Sequence, residues 1–456
     1  MTEEQLKHEE TASEQSMSEE ESSSPIATIL AIVVGLGLVA LFFWYKWGRL
    51  ADYERIIELA RQEPNKYEPA DKWLRKNWDD RYAPMVVELA SFLSLSKQEA
   101  SLQAKDRVIA LLRDTTGTEQ GDDVGAWQRW VWQQNYPQHE KYKLFKGYLF
   151  RMIDENYLAL LLNDIEPVIP LPQITADEMV ALRPALEFPA YNTEGTGLED
   201  SDKVHGIIVD GIARAYPHRI LAVHELIRDD INGQPIAISY CHINMGVFGF
   251  HTTVNGEPVT LGNSGLVYQG SKLLYDEATY SLWRVMDGHA VTGSMGQAQA
   301  MLTSIPVVTT TWAAWRAMYP DSTVIGFDTG FTFEYAEPDG PPIRAKKHPV
   351  IDLSDKLPSD QMVVGIDQGG FLAVPLDHLA PGVTFLKEQS SAIYLDEAGG
   401  IRVFGPLPNL DEVSDSSAID APLMTAKIVT WKSWYAAHPD TLLWTPHEEE
   451  AESQQN

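Results

Sequence analysis

Two stretches in the C-terminal half of this chain spell the same pattern, and that repeat limits what the chain can fold into. Thr311-Trp312-Ala313-Ala314-Trp315, followed by Tyr319-Pro320-Asp321, returns as Thr430-Trp431-Lys432-Ser433-Trp434, followed by His438-Pro439-Asp440. Each has a matching start upstream: Val204-His205-Gly206-Ile207 with Ala215-Tyr216-Pro217, then Val364-Gly365-Ile366 with Ala373-Val374-Pro375. A pattern recurring in this order predicts two similar units packed as one body. The copies differ in length. Gly206 to Trp312 spans 106 residues and Gly365 to Trp431 only 66, so the first copy holds 40 more (106 − 66). That extra stretch carries the polar, aromatic and sulfur-bearing motifs, and the functional site is expected there.

The 456 residues leave room for two or three domains, and 44% hydrophobic residues with 13 Trp can fill a core. A net charge of -30 argues against nucleic acid or anionic lipid as a partner, because both select basic surfaces. The single cysteine, Cys241, excludes an intrachain disulfide and a multi-cysteine zinc site. Residues 1–24 are polar, rich in Glu and Ser, and expected to be disordered. Residues 25–45 carry no charge and would span about 32 Å as a helix, which predicts a single transmembrane anchor. A cleaved leader would need a basic start and a small-residue cleavage site, and neither is present. Lys46, Arg49, Arg55, Arg61 and Lys66 follow this segment while only Lys7 precedes it, so the positive-inside rule puts the large domain in the cytoplasm.

The expected fold class is α+β: an N-terminal transmembrane helix, an all-α spacer domain, then a duplicated β-rich α+β module. Residues 47–165 read as helical. Ser96 to Glu99 has capping-box spacing and opens a helix that stops before Gly117. Asp122 or Asp123 caps a second helix bearing Trp127, Trp130 and Trp132, and a third runs from Lys141 to Leu162. Residues 166–202 are proline-rich and read as a linker. The first β-rich copy is expected over 203–334, with turns at Asp210-Gly211, Asn232-Gly233 and Asn255-Gly256 and one helix from Arg219 to Ile227. A linker over 335–361, the second copy over 362–445 and an acidic tail over 446–456 complete the chain.

Arg214-Ala215-Tyr216-Pro217, His224-Glu225, Ser239-Tyr240-Cys241, Gly262-Asn263-Ser264-Gly265, Tyr275-Asp276 and Ser281-Leu282-Trp283 occur in that order. On these motifs the chain resembles a bacterial family catalogued as domain of unknown function number 3179, over about residues 185–445 and more weakly over the helical part. The resemblance implies a membrane-anchored protein of the cell inner membrane whose large domain faces the periplasm, against the charge rule. It names no settled activity. Relatives often show Cys-x-x-Cys where this chain has Cys241-His242-Ile243-Asn244, so a dithiol switch or two-thiolate site cannot form.

Three readings of the polar residues stay open. A metal site would draw on His224, Glu225, Cys241, His242, His251 and Asp276, though strand alternation sends Cys241 and His242 to opposite faces. Nucleophilic catalysis would use Cys241, with His224 as base and Glu225 orienting the ring. A binding pocket would be lined by Arg214, Tyr216, Tyr275, Asp276 and Trp283, with Gly262 and Ser264 letting a ligand approach the backbone. The leading expectation is a tethered protein binding a small ligand or metal ion in the first copy. The alternatives are a Cys-dependent enzyme and a non-catalytic scaffold.

Overall fold

The helical part comprises α1 (Pro64–Lys76), α2 (Ala83–Ser94), α3 (Glu99–Thr116), α4 (Val124–Gln133), α5 (Tyr142–Phe150) and α6 (Tyr157–Leu161); α1 packs on α3, α6 on α5, and α3, α4 and α5 on α2. Apolar side chains surround that central helix, with Met85, Val86, Leu89 and Ala90 all fully buried. The computed structural model describes residues 51–162, 165–177, 181–187, 191–192, 197–335, 348–351, 353–407 and 421–446. Residues 56–456 form one compact unit.

Local signals set the helix ends. Asp123 caps α4 by accepting from Gly125 N at 3.0 Å, and Gly117 ends α3 in the left-handed region at φ 67°. The single helix expected from Lys141 to Leu162 is two. The chain turns between them, where the Asp154 carboxylate accepts from Asn156 N at 2.9 Å. The membrane helix expected over residues 25–45 lies outside the described residues. Among the described residues no helix is long and apolar enough to cross a membrane. The longest, α3, has Lys105, Asp106, Arg107, Arg113 and Asp114 along its 18 residues. The expected fold class is therefore corrected: the described chain is α+β with several sheets, and none of its described helices is long and apolar enough to span a membrane.

The segment expected to be a linker carries four short strands, of which β1 (Ile174–Ala176) and β2 (Arg183–Pro184) border the site and the other two are Leu186–Glu187 and Tyr191–Asn192. Then come β3 (Lys203–Val209), β4 (Ile212–Pro217), helix α7 (His218–His224), β5 (Leu226–Ile231), β6 (Gln234–Cys241) and β7 (Gly246–His251). Next are β8 (Leu261–Tyr268), β9 (Ser271–Asp276), β10 (Leu282–Arg284), β11 (Val308–Thr311), α8 (Trp312–Met318) and β12 (Thr323–Ile325). The second half adds β13 (Met362–Asp367), β14 (Phe371–Pro375), β15 (Gly382–Leu386), β16 (Ser391–Leu395), β17 (Ile401–Phe404), β18 (Ala426–Thr430), α9 (Trp431–Ala437) and β19 (Leu442–Leu443).

Two four-stranded units share one wiring, β11-β3-β4-β12 and β18-β13-β14-β19. Their registers coincide. Thr311 faces Lys203 as Thr430 faces Met362, Gly206 faces Ala215 as Gly365 faces Ala373, and the last strand of each runs parallel to its neighbour. Each glycine leaves room for a tryptophan, because a Cβ on Gly206 would overlap the Trp315 ring and one on Gly365 the Trp434 ring. The indole of Trp315 donates to Ser322 Oγ at 2.7 Å and that of Trp434 to Thr441 Oγ1 at 2.9 Å. All four repeated tryptophans are buried. At ~25 cal/mol per Å2 each contributes roughly 4–6 kcal/mol of gross burial.

The units also exchange their meanders. From the second half, β15-β16-β17 joins the first unit's sheet, with Thr309 facing Ile401. From the first half, the turn into β7 meets β18, where Thr430 N donates to Asn244 O at 3.0 Å. One shared core results: Cys241, Phe248 and Trp283 from the first half pack with Val363, Val429 and Trp434 from the second.

Candidate functional site

The first half's additional strands form β5-β6-β7 and, beside it, β8-β9-β10, with β1 and β2 paired to β8. Between them lies a cavity of about 190 Å3 lined by Asp177, Arg183, Glu225, His242, Asn263 and Lys272, among others. A regular strand would not open this space. The register of β8 against β9 shifts between Asn263 and Leu266, with Gly265 at φ 68°, so Gly262-Asn263-Ser264-Gly265 is a bulge inside a strand and not a turn.

Glu225 arrives by a second irregularity. It ends α7 with φ 62°, a left-handed conformation uncommon for a side-chain-bearing residue. The helix expected from Arg219 to Ile227 therefore stops at His224, and Leu226 begins β5. That backbone is held by three donors to Glu225 O: Tyr240 N at 2.9 Å, Ser239 Oγ at 3.1 Å and Lys272 Nζ at 2.9 Å.

His242 stands between two carboxylates. Its Nε2 lies 2.6 Å from Asp177 Oδ2, and its Nδ1 lies 3.1 Å from Glu225 Oε1, an ion-pair distance whose angle misses hydrogen-bond geometry. Asp177 also receives His348 Nε2 at 2.7 Å. Burial works against a charged His242 ring, but the hydrogen bond to Asp177 and the charges of Asp177 and Glu225 outweigh it and push its pKa up to about 10. Burial alone would raise the Asp177 carboxyl, yet His242 and His348 hold it well below the usual carboxylate range. Glu225 follows the same balance: burial raises it, while Lys272, His242 and Arg183 win and bring it to about 2.

Lys272 is buried, and burial lowers its ammonium from its ordinary range while Glu225 partly offsets this. Glu225 O at 2.9 Å, Asn263 Oδ1 at 3.0 Å and Glu225 Oε2 at 3.6 Å surround its Nζ. The first two accept hydrogen bonds from the ammonium, and the third is an ion-pair contact. Arg183 sits at the mouth with its side chain 44% exposed and Nη2 3.4 Å from Glu225 Oε2, its single ion-pair partner among the described residues.

The other expected site residues are placed elsewhere. Cys241 is fully buried in the shared core, on the opposite side of the strand end from His242, and its Sγ accepts from Lys272 N at 3.4 Å. His224 points to an aromatic cluster of Phe331, Phe333 and Tyr335, with Nε2 2.6 Å from the Tyr335 hydroxyl. Burial and then Arg183 lower its pKa to about 4. Among the described residues no imidazole hydrogen-bonds the thiol. Arg214 and Tyr216 converge on Asp229, with Arg214 Nη1 at 2.8 Å and the Tyr216 hydroxyl at 2.6 Å. Asp276 closes a turn by accepting from Thr279 N at 2.6 Å and the Trp283 indole at 3.0 Å. Tyr275 packs over Gly262, where a Cβ would strike its ring, and stacks on Tyr280. Of the twelve residues named in the three readings, Glu225, His242 and Ser264 line the cavity.

Asn244, in the place of the second cysteine, is fully buried and structural. Its Oδ1 accepts from Gly246 N at 2.9 Å, and its Nδ2 donates to Ser271 Oγ at 3.1 Å. Among the described residues no three His, Cys, Asp or Glu side chains are grouped so as to hold a metal ion.

Asp177, Arg183, Lys272 and His348 were not singled out from sequence, and Asn263 entered only as part of the Gly262 to Gly265 motif. Lys272 did leave a signal: a charge inside the apolar run Leu273-Leu274-Tyr275 that follows the Gln269-Gly270 turn. Asp177 and His348 fall in segments that read as linkers and left none.

No curated protein and no solved structure matched the chain. Residues 182–403 match the model of a family described as "Protein of unknown function (DUF3179)", a span that includes every cavity-lining residue named above except Asp177. The likeness is to that span, 182–403 of the 456 residues.

Proposed function

We propose that the first β-rich half binds a small ligand with an anionic group, such as a carboxylate or phosphate, in the cavity beside His242. The observation that carries this is the ordered charge series Arg183, Glu225, His242, Asp177, with Lys272 beneath it, lining one cavity. The carboxylates of Asp177 and Glu225 are offset by His242 and Lys272, which leaves Arg183 as a surplus cation at the mouth. A guanidinium has five N–H donors in a planar fork suited to carboxylate or phosphate oxygens. The rest of the chain is strongly acidic, so a local positive site stands out from its surroundings.

The size limits the ligand. About 190 Å3 corresponds to roughly six waters at about 30 Å3 each, smaller than the space that encloses drug-sized molecules. Binding is favoured over Cys-dependent catalysis on two grounds. His224, the base that reading needs, turns to the Tyr335 hydroxyl and the rings of Phe331 and Phe333, while the Cys241 sulfur meets Lys272 N. The only thiol is buried on the other side of the strand.

Thermal denaturation with phosphate, sulfate, acetate and succinate, each against sodium chloride of equal ionic strength, tests this. A ligand at 100 times its Kd stabilises by about 2.7 kcal/mol. At least one of these anions should raise the melting temperature of the wild type and leave Arg183→Gln unchanged. A wild type indifferent to all four contradicts the reading.

A further inference from the structure

We propose that the helical layer is a wall of this site: Lys146, Asp154 and Tyr157 act as positioning residues that fix the three backbone segments bearing Asp177, Arg183 and the β8 bulge. The inference rests on the pocket just described and extends it to residues outside the matched family span.

Each segment receives one hydrogen bond from a helical side chain or from the turn before α6. The Lys146 ammonium donates to Ile174 O at the start of β1, and that strand runs straight into Asp177. The Asp154 carboxylate accepts from Leu182 N at 3.1 Å, one residue before Arg183. The Tyr157 hydroxyl donates to Ser264 O at 2.7 Å, inside the bulge that opens the cavity. The segments then meet, since Arg183 faces Asn263 across β2 and β8.

Packing alone does not call for these groups. Lys146 is fully buried, its Nζ 2.7 Å from Glu88 Oε1, and Glu88 also accepts from the Tyr142 hydroxyl at 2.8 Å. A buried ion pair gains little over apolar side chains of the same volume, so its presence favours fixed geometry over stability. What it fixes is a carbonyl three residues from the Asp177 carboxylate that holds His242 charged.

Two variants of the full chain test this without needing a ligand. In histidine-labelled protein, the His242 ring is assigned by its loss in His242→Gln and titrated by NMR. Lys146→Met should lower the His242 midpoint by at least one unit from its wild-type value near 10. Tyr157→Phe removes a single oxygen and guards against Lys146→Met failing to fold. It should speed amide exchange over residues 262–268 at least tenfold while residues 362–375 exchange as in the wild type. Unchanged titration and unchanged exchange, or acceleration spread evenly along the chain, would overturn the inference. If both local effects appear and no anion binds the wild type, the wall stands and the ligand reading alone fails.

Discussion

The two four-stranded units are the same framework used twice, and what separates them is what each carries between its second and third paired strands. Both keep a glycine beneath a tryptophan, an indole donating to a hydroxyl and a parallel final strand. Between β14 and β18 the second unit holds a three-stranded meander. Between β4 and β11 the first holds α7, its own meander and the β8-β9-β10 sheet around a charged cavity. The polar chemistry thus sits where the shared packing places no demand on it. A smaller contrast repeats the lesson. His205 and His218 are buried in contact at 2.9 Å, and the register puts Val364 and Leu376 at the matching places in the second unit. The framework accepts either pair.

The largest effect should come from His242→Leu, which leaves Asp177 and Glu225 buried without their shared cation. Removing one partner of a buried pair costs about 3–5 kcal/mol. Urea denaturation should show that loss near neutral pH and a much smaller one near pH 10. The folded pKa near 10 lies above the usual value of 6.5, so the ring's contribution is complete below pH 6.5 and fades as pH rises through 10. A loss independent of pH would reduce His242 to ordinary packing.

The pair His205 and His218 should behave oppositely. Burial, then Lys203, lower His218 to about 4, and burial, then His218 and Lys203, hold His205 well below its ordinary value. An unfolded chain takes up these protons first as pH falls. The stability they allow is therefore present above pH 6.5 and lost towards pH 4, by about 3 kcal/mol for a shift of that size. The double variant His205→Val with His218→Leu copies the second unit and should hold its stability across that window. Equal acid sensitivity in both proteins would break the comparison.

The glycines offer a matched pair. Gly206→Ala and Gly365→Ala each drive a methyl into a buried indole and should each cost about 1–3 kcal/mol, by similar amounts. A large difference between them would show that the two units do not share one packing solution. Smallest of all, Arg183→Gln should change stability by no more than about 0.5 kcal/mol, because that side chain is exposed at the cavity mouth.

How far the chain can be read without coordinates follows from where the signals are local. Gly117, Asp123 and the Trp-x-x-Trp segments act on their own turn of backbone, and each marks an element where it lies. The site is not local in this way. Asp177, Arg183, Glu225, His242, Lys272 and His348 come from six separated places, and two of the segments look like linkers because their strands are only two or three residues long. Glu225 is the neighbour of His224, yet its own left-handed backbone turns it towards Lys272 while His224 faces Tyr335. Cys241 and His242 divide between core and cavity, as alternation along a strand requires. The sulfur drew attention for its chemistry, while the imidazole beside it lines the cavity.

The central claim is that the charge series around His242 makes an anion site on the first unit. Isothermal titration of the full chain with phosphate, sulfate, acetate and succinate, repeated on Arg183→Gln, tests it most directly. Saturable binding of one anion per chain by the wild type, weakened at least tenfold by the substitution, is the predicted result. Absence of binding in the wild type, or equal binding by both proteins, would contradict it.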